Sequence, residues 1–352
     1  MANPNDIEGE PGQSAVRKRY ASATDVARIA GVSQSAVSRA FSEGGSVSPK
    51  TRQRVIDAAK QLGYQPNLIP RIMLKHRSSL IAVVIGGMHN PFYAGIVEIF
   101  SREIQKKGRT VLLFSVDQGE YIDDVIPLVL GYRVDAIVSA LSIVSQAAAE
   151  SCAKMNVPVV LFNGKVRNDW VASVCSDNVA GGRDVASLFI RKGARRFAYI
   201  AGKRGNMASD DRLAGYLGGL AAEGISDVSI VYGDFRFEKS FEATCELMRQ
   251  DSWPDAIFCA NDLMAIGAMD AIRSRSGRRI PEDVMVAGFD DIPAAAWPSH
   301  SLTTVRQNGP QMVSEALNIM DRIIEGKSAV GGLLRLISAD LQERRSTARP
   351  PR

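Results

Sequence analysis

Gln34, Ser35, Ser38 and Arg39 lie within one short run, Ser33-Gln-Ser-Ala-Val-Ser-Arg39, and all four can bond to nucleic acid. An amide or a guanidinium can make paired hydrogen bonds to a purine edge in the major groove, and a hydroxyl can bond a base or a phosphate. Such chemistry requires a rigid platform, and the flanking residues supply the signals for one. Ser22 with Asp25 three positions later predicts a capping box opening a helix, whose buried stripe is read as Val26, Ile29 and Ala30. Gly31 marks a sharp turn, Ser33 caps a second helix, and Val32 with Val37 can clasp it as a hydrophobic staple. Ser48-Pro49 opens a third helix, whose Val55, Ala59 and Leu62 recur at helical spacing until Gly63 ends it. These three helices form a helix-turn-helix unit, with the polar run at the start of the second helix facing outward.

Charge is concentrated in the same place. Residues 17–78 carry 12 Lys and Arg against 3 Asp and Glu, a net of +9, so the rest of the chain is −4 for the total of +5. A local excess of this size neutralises phosphates and releases counterions, which makes binding salt-dependent. A charge run is by itself usually a solvated face, so it corroborates the helix pattern and does not replace it.

With 352 residues and 45% hydrophobic content, the chain can bury a full core over two or three domains. Its first 16 residues are polar and acidic, which argues against a signal or transit peptide, and no run of 18 apolar residues suggests a membrane span. Cys152, Cys175, Cys245 and Cys259 lack paired spacing or a neighbouring histidine, so reduced thiols in a cytoplasm are expected, with no metal and no cofactor.

From Leu80 onward, apolar runs alternate with amphipathic stretches. The runs are 80–85, 110–114, 136–138, 158–162, 197–200, 256–259 and 284–289; the helical stretches include 93–107, 179–191, 212–223, 237–249 and 262–274. The fold class read from this is α/β: parallel sheets flanked by helices in two lobes, behind an all-α head. Open α/β sheets bind ligands at the carboxyl ends of their strands. The loops expected there hold Asn90-Pro-Phe-Tyr93, Asn163, Ser176-Asp-Asn178, Ser209-Asp-Asp-Arg212, Asn261-Asp262, Asp290-Asp291 and Gln307. Amides, carboxylates and an arginine beside aromatic rings suit a polyhydroxylated small molecule. Simpler roles stand beside this one: Asn261-Asp262 can cap a helix, Asp290-Asp291 can form a turn, and Arg212 can pair with Asp210 or Asp211.

From about Ser22 to Arg345 the chain resembles the lactose/galactose repressor family of bacterial transcription regulators. The resemblance is carried by Asp25-Val-Ala-Arg-Ile-Ala-Gly-Val-Ser33, Val37-Ser-Arg39, Gly63-Tyr-Gln-Pro-Asn67, Asn90-Pro-Phe92, Arg212-Leu-Ala-Gly215, Ala260-Asn-Asp262, Gly288-Phe-Asp-Asp291 and Leu302-Thr-Thr-Val305. It implies a homodimer, or a tetramer, on a near-palindromic double-stranded operator, with a periplasmic-binding-protein-like core sensing a sugar or sugar acid. It places DNA contacts on Gln34, Ser35, Ser38, Arg39, Thr51, Asn67 and Met73, and effector contacts on Phe92, Tyr93, Asn163, Arg212, Asn261, Asp290 and Gln307. The expected division is a disordered tail over 1–19, a head over 20–66, a hinge over 67–78 and a core over 79–352. Within the core, lobe 1 takes about 79–175 and 307–333, and lobe 2 about 176–306 and 334–346.

The chain departs from the family pattern in several places. Met73 stands at the hinge's wedge leucine and Pro70 at an alanine, which suggests a shorter hinge helix starting at Pro70. His300-Ser301 replaces a proline before Leu302, and Asn163 stands where some sugar-responsive members carry aspartate. Two rival readings are an uptake solute-binding protein and an enzyme. The basic head opposes the first. For the second there is no Gly-x-Gly-x-x-Gly after a strand and no Gly-x-Ser-x-Gly elbow, and the histidines are His76, His89 and His300 alone.

Overall fold

Ser22 Oγ accepts the Asp25 amide at 3.2 Å while the Asp25 carboxylate accepts the Ser22 amide at 3.0 Å, and this reciprocal cap starts α1 (Ala23–Ala30). The computed structural model describes residues 21–42, 44–65, 77–116, 122–140, 145–165, 170–327 and 332–349. These fall into two units, Met1–His76 and Arg77–Arg352. The expected tail over 1–19 and most of the hinge, with Asn67, Pro70 and Met73, lie outside the described residues.

In the first unit, α2 (Gln34–Ala40) and α3 (Pro49–Leu62) begin at the predicted caps, with Ser33 Oγ taking the Ala36 amide and Ser48 Oγ the Thr51 amide, each at 3.2 Å. Gly31 and Gly63 end α1 and α3 with φ of 62° and 61°, a left-handed conformation that costs glycine no steric penalty. Val26, Ala27, Ala30, Val37, Ala40, Val55, Ala58 and Ala59 form one core, with Val32 and Leu62 packed at its margin. The predicted stripe of α1 needs one correction: Ile29 is 41% exposed and Ala27 takes the buried place. At 3.6 residues per turn, Val26, Ala27 and Ala30 centre on one face and Ile29 sits about 110° away from it.

The second unit holds two six-stranded sheets. In chain order the strands are β1 (Leu80–Gly86), β2 (Thr110–Val116), β3 (Ala136–Ser139), β4 (Val159–Phe162), β5 (Val171–Ser176), β6 (Phe197–Ala201), β7 (Val228–Tyr232), β8 (Ala256–Cys259), β9 (Met285–Asp290), β10 (Thr303–Gln307), β11 (Leu334–Ile337) and β12 (Ala339–Gln342). The first sheet runs β11-β5-β4-β3-β1-β2 and is parallel throughout; the second runs β12-β10-β9-β8-β6-β7, parallel except where β12 pairs antiparallel with β10. The helices between are α4 (Pro91–Lys106), α5 (Ile122–Gly131), α6 (Gln146–Lys154), α7 (Asn178–Arg191), α8 (Met207–Ala221), α9 (Phe237–Arg249), α10 (Asp262–Ala271) and α11 (Gly309–Ile324). Residues Ile272–Ser276 continue α10 as a π-helical turn, so the stretch read as 262–274 is not one regular helix.

Helices cover both faces of the sheets, which explains why β1, β3, β4, β8 and β9 read as continuous apolar runs. The chain crosses from one lobe to the other after Ser176, returns after Gln307, and crosses again at Ser338. The last crossing corrects the expected boundary of 333/334. Leu334–Ile337 pairs in register with Ser173–Ser176 of β5 and so belongs to the first lobe, leaving the second lobe to resume at Ala339. Among the described residues no helix is long and apolar enough to cross a membrane.

Candidate functional site

In the head, burial of Val37 and Ala40 turns the opposite side of α2 to solvent, and Gln34, Ser35, Ser38 and Arg39 are all exposed on it. Ser35 Oγ lies 2.9 Å from the capping Ser33 Oγ, and Thr51, half-buried, lies 2.9 Å from Ser48 Oγ at the start of α3. Two of the basic residues counted from sequence serve the fold instead. Arg52 donates to Ala40 O and, at 3.0 Å, to Gly45 O, and Arg54 donates to Ala30 O. Each guanidinium thereby caps the carbonyl end of α2 or α1, where a cation is favoured by the helix dipole. Arg28, Arg39, Lys50 and Lys60 are exposed.

In the core, Arg212 and Gln307 of the seven predicted effector residues meet a third, Asp290. Asp290 ends β9 with a φ of 113°, and Asp291 follows at 56°. A non-glycine residue in this region stores strain of roughly 1–3 kcal/mol and aims its side chain where an ordinary strand would not. The Asp290 carboxylate accepts Gln307 Nε2 at 2.6 Å and Asn90 Nδ2 at 2.9 Å, and Arg212 Nη2 lies 3.7 Å from it. Asn90 comes from the first lobe and Asp290 from the second, so the carboxylate bridges the lobes. Burial pushes Asp290 above its ordinary value; Arg212 and the two amide donors offset part of that.

Arg212 is itself buried, in α8. Its Nε donates to Asn178 Oδ1 at 2.9 Å, its Nη1 donates to Ala260 O, and its guanidinium lies 3.7 Å from the centre of the Phe289 ring. The alternative partners are excluded: Asp211 pairs with Lys165 of the first lobe, and Asp210 is exposed. The α7/α8 contact brings Asn178 to Arg212 because glycines stand at the crossing. A Cβ on Gly215 would meet Val179 O at 2.0 Å, and one on Gly182 would meet Arg212 O at 2.1 Å.

Phe92 packs against the cores of both lobes, and its ring centre is 5.4 Å from that of Tyr93. Desolvation and the Asp290 charge push the Tyr93 phenol up, while Asn163 and Arg212 draw it down, so Tyr93 and Asn163 belong to the same cluster. Asn163 follows β4 in the left-handed region, at φ 59°. Asn261 stands beside the cluster through Ala260, whose carbonyl Arg212 binds, and the helix-cap reading of its sequence holds. Its Oδ1 caps α10 by accepting the Met264 amide at 3.0 Å, and its Nδ2 is left over. Asp262 is structural: buried, it accepts Thr304 Oγ1 at 2.5 Å and the Ile292 amide at 2.8 Å. Sequence reasoning omitted three residues from the site. Asn90, Asn178 and Ser176 stand in the sequence only as members of polar clusters, and Ser176 joins the network by donating to Gln307 Oε1 at 2.7 Å. His89 is exposed. Among the described residues no group of three or more metal-ligating side chains gathers.

A helix-turn-helix head in one chain with a two-lobed core, whose polar residues gather where the two sheets end, defines a DNA-binding regulator switched by a ligand. Residues 23–67 match the model of bacterial regulatory proteins of the lacI family, and residues 186–347 match the periplasmic binding protein-like domain. The HTH-type transcriptional regulator CelR of Thermobifida fusca is 33% identical over 318 residues, 87% of this chain and 93% of that protein. The HTH-type transcriptional repressor PurR of Erwinia tasmaniensis is 30% identical over 333 residues, covering 93% and 97%. A crystal structure of the lac repressor dimer bound to operator and the anti-inducer ONPF superposes with a TM-score of 0.84 at 26% identity, over 94% of this chain and 99% of that one. A complex of transcriptional regulator CelR with cellobiose gives 0.69 at 30% identity, over 93% and 99%. The chain belongs to the lacI family of bacterial regulatory proteins. The reading of an uptake solute-binding protein is thereby set aside.

Proposed function

We propose that this regulator binds a near-palindromic operator as a homodimer in the cytoplasm, without catalysing a reaction, and that a sugar-like effector bound around Asp290 switches its affinity. The observation that carries the DNA half is the exposed row Gln34, Ser35, Ser38 and Arg39 on a helix fixed by the buried Val37 and Ala40. Asn67 and Met73 complete the proposed DNA contacts from the hinge segment. Supporting a dimer, β2 and β7 each form one edge of their sheets and expose Leu113 on the first and Ile230 and Tyr232 on the second. Leu128 and Tyr132 add exposed apolar surface on and just after α5. A two-fold partner covers the same patch on each subunit. Phe92, Tyr93, Asn163, Arg212, Asn261, Asp290 and Gln307 are the proposed effector contacts.

The test selects duplexes from a random pool with the full chain and compares wild type and Arg39→Ala on the selected and on random DNA. The expected result is a selected sequence with two-fold symmetry and a loss of about 10- to 100-fold for Arg39→Ala on it, with little change on random duplex. Equal losses on both would remove Arg39 from base reading.

A further inference from the structure

We infer that the site around Asp290 takes an uncharged, hydroxyl-bearing ligand and discriminates against carboxylated or phosphorylated counterparts, an inference that rests on the effector reading above. Two independent features of the cluster lead there.

The first is charge balance. Arg212 and Asp290, each with a side chain 3% exposed, neutralise one another inside the site. The arginine gives one N–H to Asn178 and one to Ala260, lays its flat face on Phe289, and holds Nη2 3.7 Å from Asp290, so its charge is balanced while N–H groups remain for neutral acceptors such as hydroxyls. The nearby Lys165 is taken by Asp211. An anion entering here loses its hydration, meets among the described groups of the cluster no cation whose charge is not already balanced by a carboxylate, and lies beside Asp290. The second feature is what remains unbonded. Among the described residues, Asn163 Oδ1 and Asn261 Nδ2 are buried without a hydrogen-bond partner, one an acceptor and the other a donor. Leaving such atoms unpaired is costly, so they mark what the site is built to receive. A hydroxyl both donates and accepts, so hydroxyls can answer either amide. An ionised carboxylate or phosphate only accepts. It satisfies Asn261 but sets lone pairs against Asn163 Oδ1.

The experiment is calorimetric titration of the full chain with matched probes at pH 7 and fixed ionic strength. Glucose, galactose, ribose and cellobiose are each compared with glucuronate, galacturonate, ribose 5-phosphate and cellobionate, with hypoxanthine as a neutral probe lacking a sugar. Expected is saturable binding of at least one neutral sugar, with its acid or phosphate weaker by roughly 100-fold or more. Asn261→Ser, which keeps the helix cap, and Asn163→Gly, which keeps the left-handed backbone, should each weaken that sugar by about 10-fold or more with the fold retained by circular dichroism, whereas Asn163→Asp keeps the acceptor and most of the affinity. Asp290→Asn frees the Arg212 charge and should raise the acid-to-sugar affinity ratio by at least about 10-fold. An acid or phosphate that binds as well as its neutral partner overturns the inference while leaving the site an effector site. Binding of hypoxanthine with no sugar bound overturns the hydroxyl half. If none of the probes binds, the effector reading itself fails and this inference with it.

Discussion

Replacing Arg212 by methionine tests the central pairing of the core. The change keeps much of the apolar stem and removes the guanidinium, so Asp290 stays buried with two amide donors and no cation, and Asn178 Oδ1 and Ala260 O lose a donor. Removing one member of a buried ion pair costs about 3–5 kcal/mol, chiefly because the other charge is stranded. For a unit spanning Arg77–Arg352, a loss of that size lowers Tm by about 6–10 °C.

The effect also has a pH signature. Burial already raises Asp290 above its ordinary value, and Arg212 is the largest influence holding it down, so the variant's carboxyl rises further. An acid whose folded pKa lies above its unfolded value keeps a proton that the unfolded chain has lost. Its stability contribution is therefore greatest below the unfolded value, near 4, and falls as pH rises toward the folded one. The variant should show a deficit that is smaller at pH 5 than at pH 7.5, and Asp290→Asn added to it should recover most of the loss. The assay is urea unfolding followed by Trp fluorescence at both pH values. A deficit under about 1 kcal/mol, or one of equal size at pH 5 and 7.5, would refute the claim that the two charges balance each other.

Three further outcomes follow from the geometry. Arg52→Ala should lower hydrogen-exchange protection in α2 by about 30-fold, the loss of roughly 2 kcal/mol from two charge-assisted bonds, whereas Arg39→Ala should leave protection unchanged. Gly215→Ala places a methyl against Val179 O and should lower Tm by about 2–6 °C; it should also weaken effector binding by moving Arg212 from Asn178, and normal binding would show that the helix crossing does not position that residue. Asn90→Ser keeps a cap on α4 but drops the Asp290 bond, so effector and DNA titrations should each retain saturable binding while the factor by which one alters the other falls toward one.

The head was legible almost residue by residue because its signals are local. Each cap needs only a side chain and an amide three positions away, and each staple only one helical turn. What escaped was tertiary: Ile29 has a helical spacing from Val26 yet lies off the packed face, and nothing near Arg52 or Arg54 in sequence announces that each reaches back to another helix. In the core, strands buried on both faces appeared as apolar runs, whereas β7 and β11 lie at sheet edges with half-exposed, mixed residues that carry no such signal. β5 is buried but alternates apolar residues with serine and alanine, which looks like loop composition. The site residues were visible singly as polar groups after strands. Their partners were not, because Asn90 and Asp290 are 200 positions apart and only the closing of the two lobes brings them together.

That bond also bears on how a ligand can act at a distance. An effector shifts a regulator only through contacts that differ between its states, and couplings of about 1–3 kcal/mol are usual. The Asn90 amide serves two masters: Oδ1 caps α4 by taking the Phe92 amide at 3.1 Å, and Nδ2 reaches Asp290 in the other lobe. A ligand hydroxyl competing for the Asp290 carboxylate therefore acts on the start of α4, the helix that carries Phe92 and Tyr93 and packs on α11. A hydrogen bond to a charged group contributes about 1.5–3 kcal/mol, so exchange of this one contact matches the coupling such a regulator needs. A cross-lobe ion pair, Lys165 with Asp211, is about one-quarter exposed at each side chain, and an ion pair open to water typically contributes under about 1 kcal/mol. Magnitude thus favours the buried amide over the more conspicuous ion pair as the element through which the lobes sense occupancy.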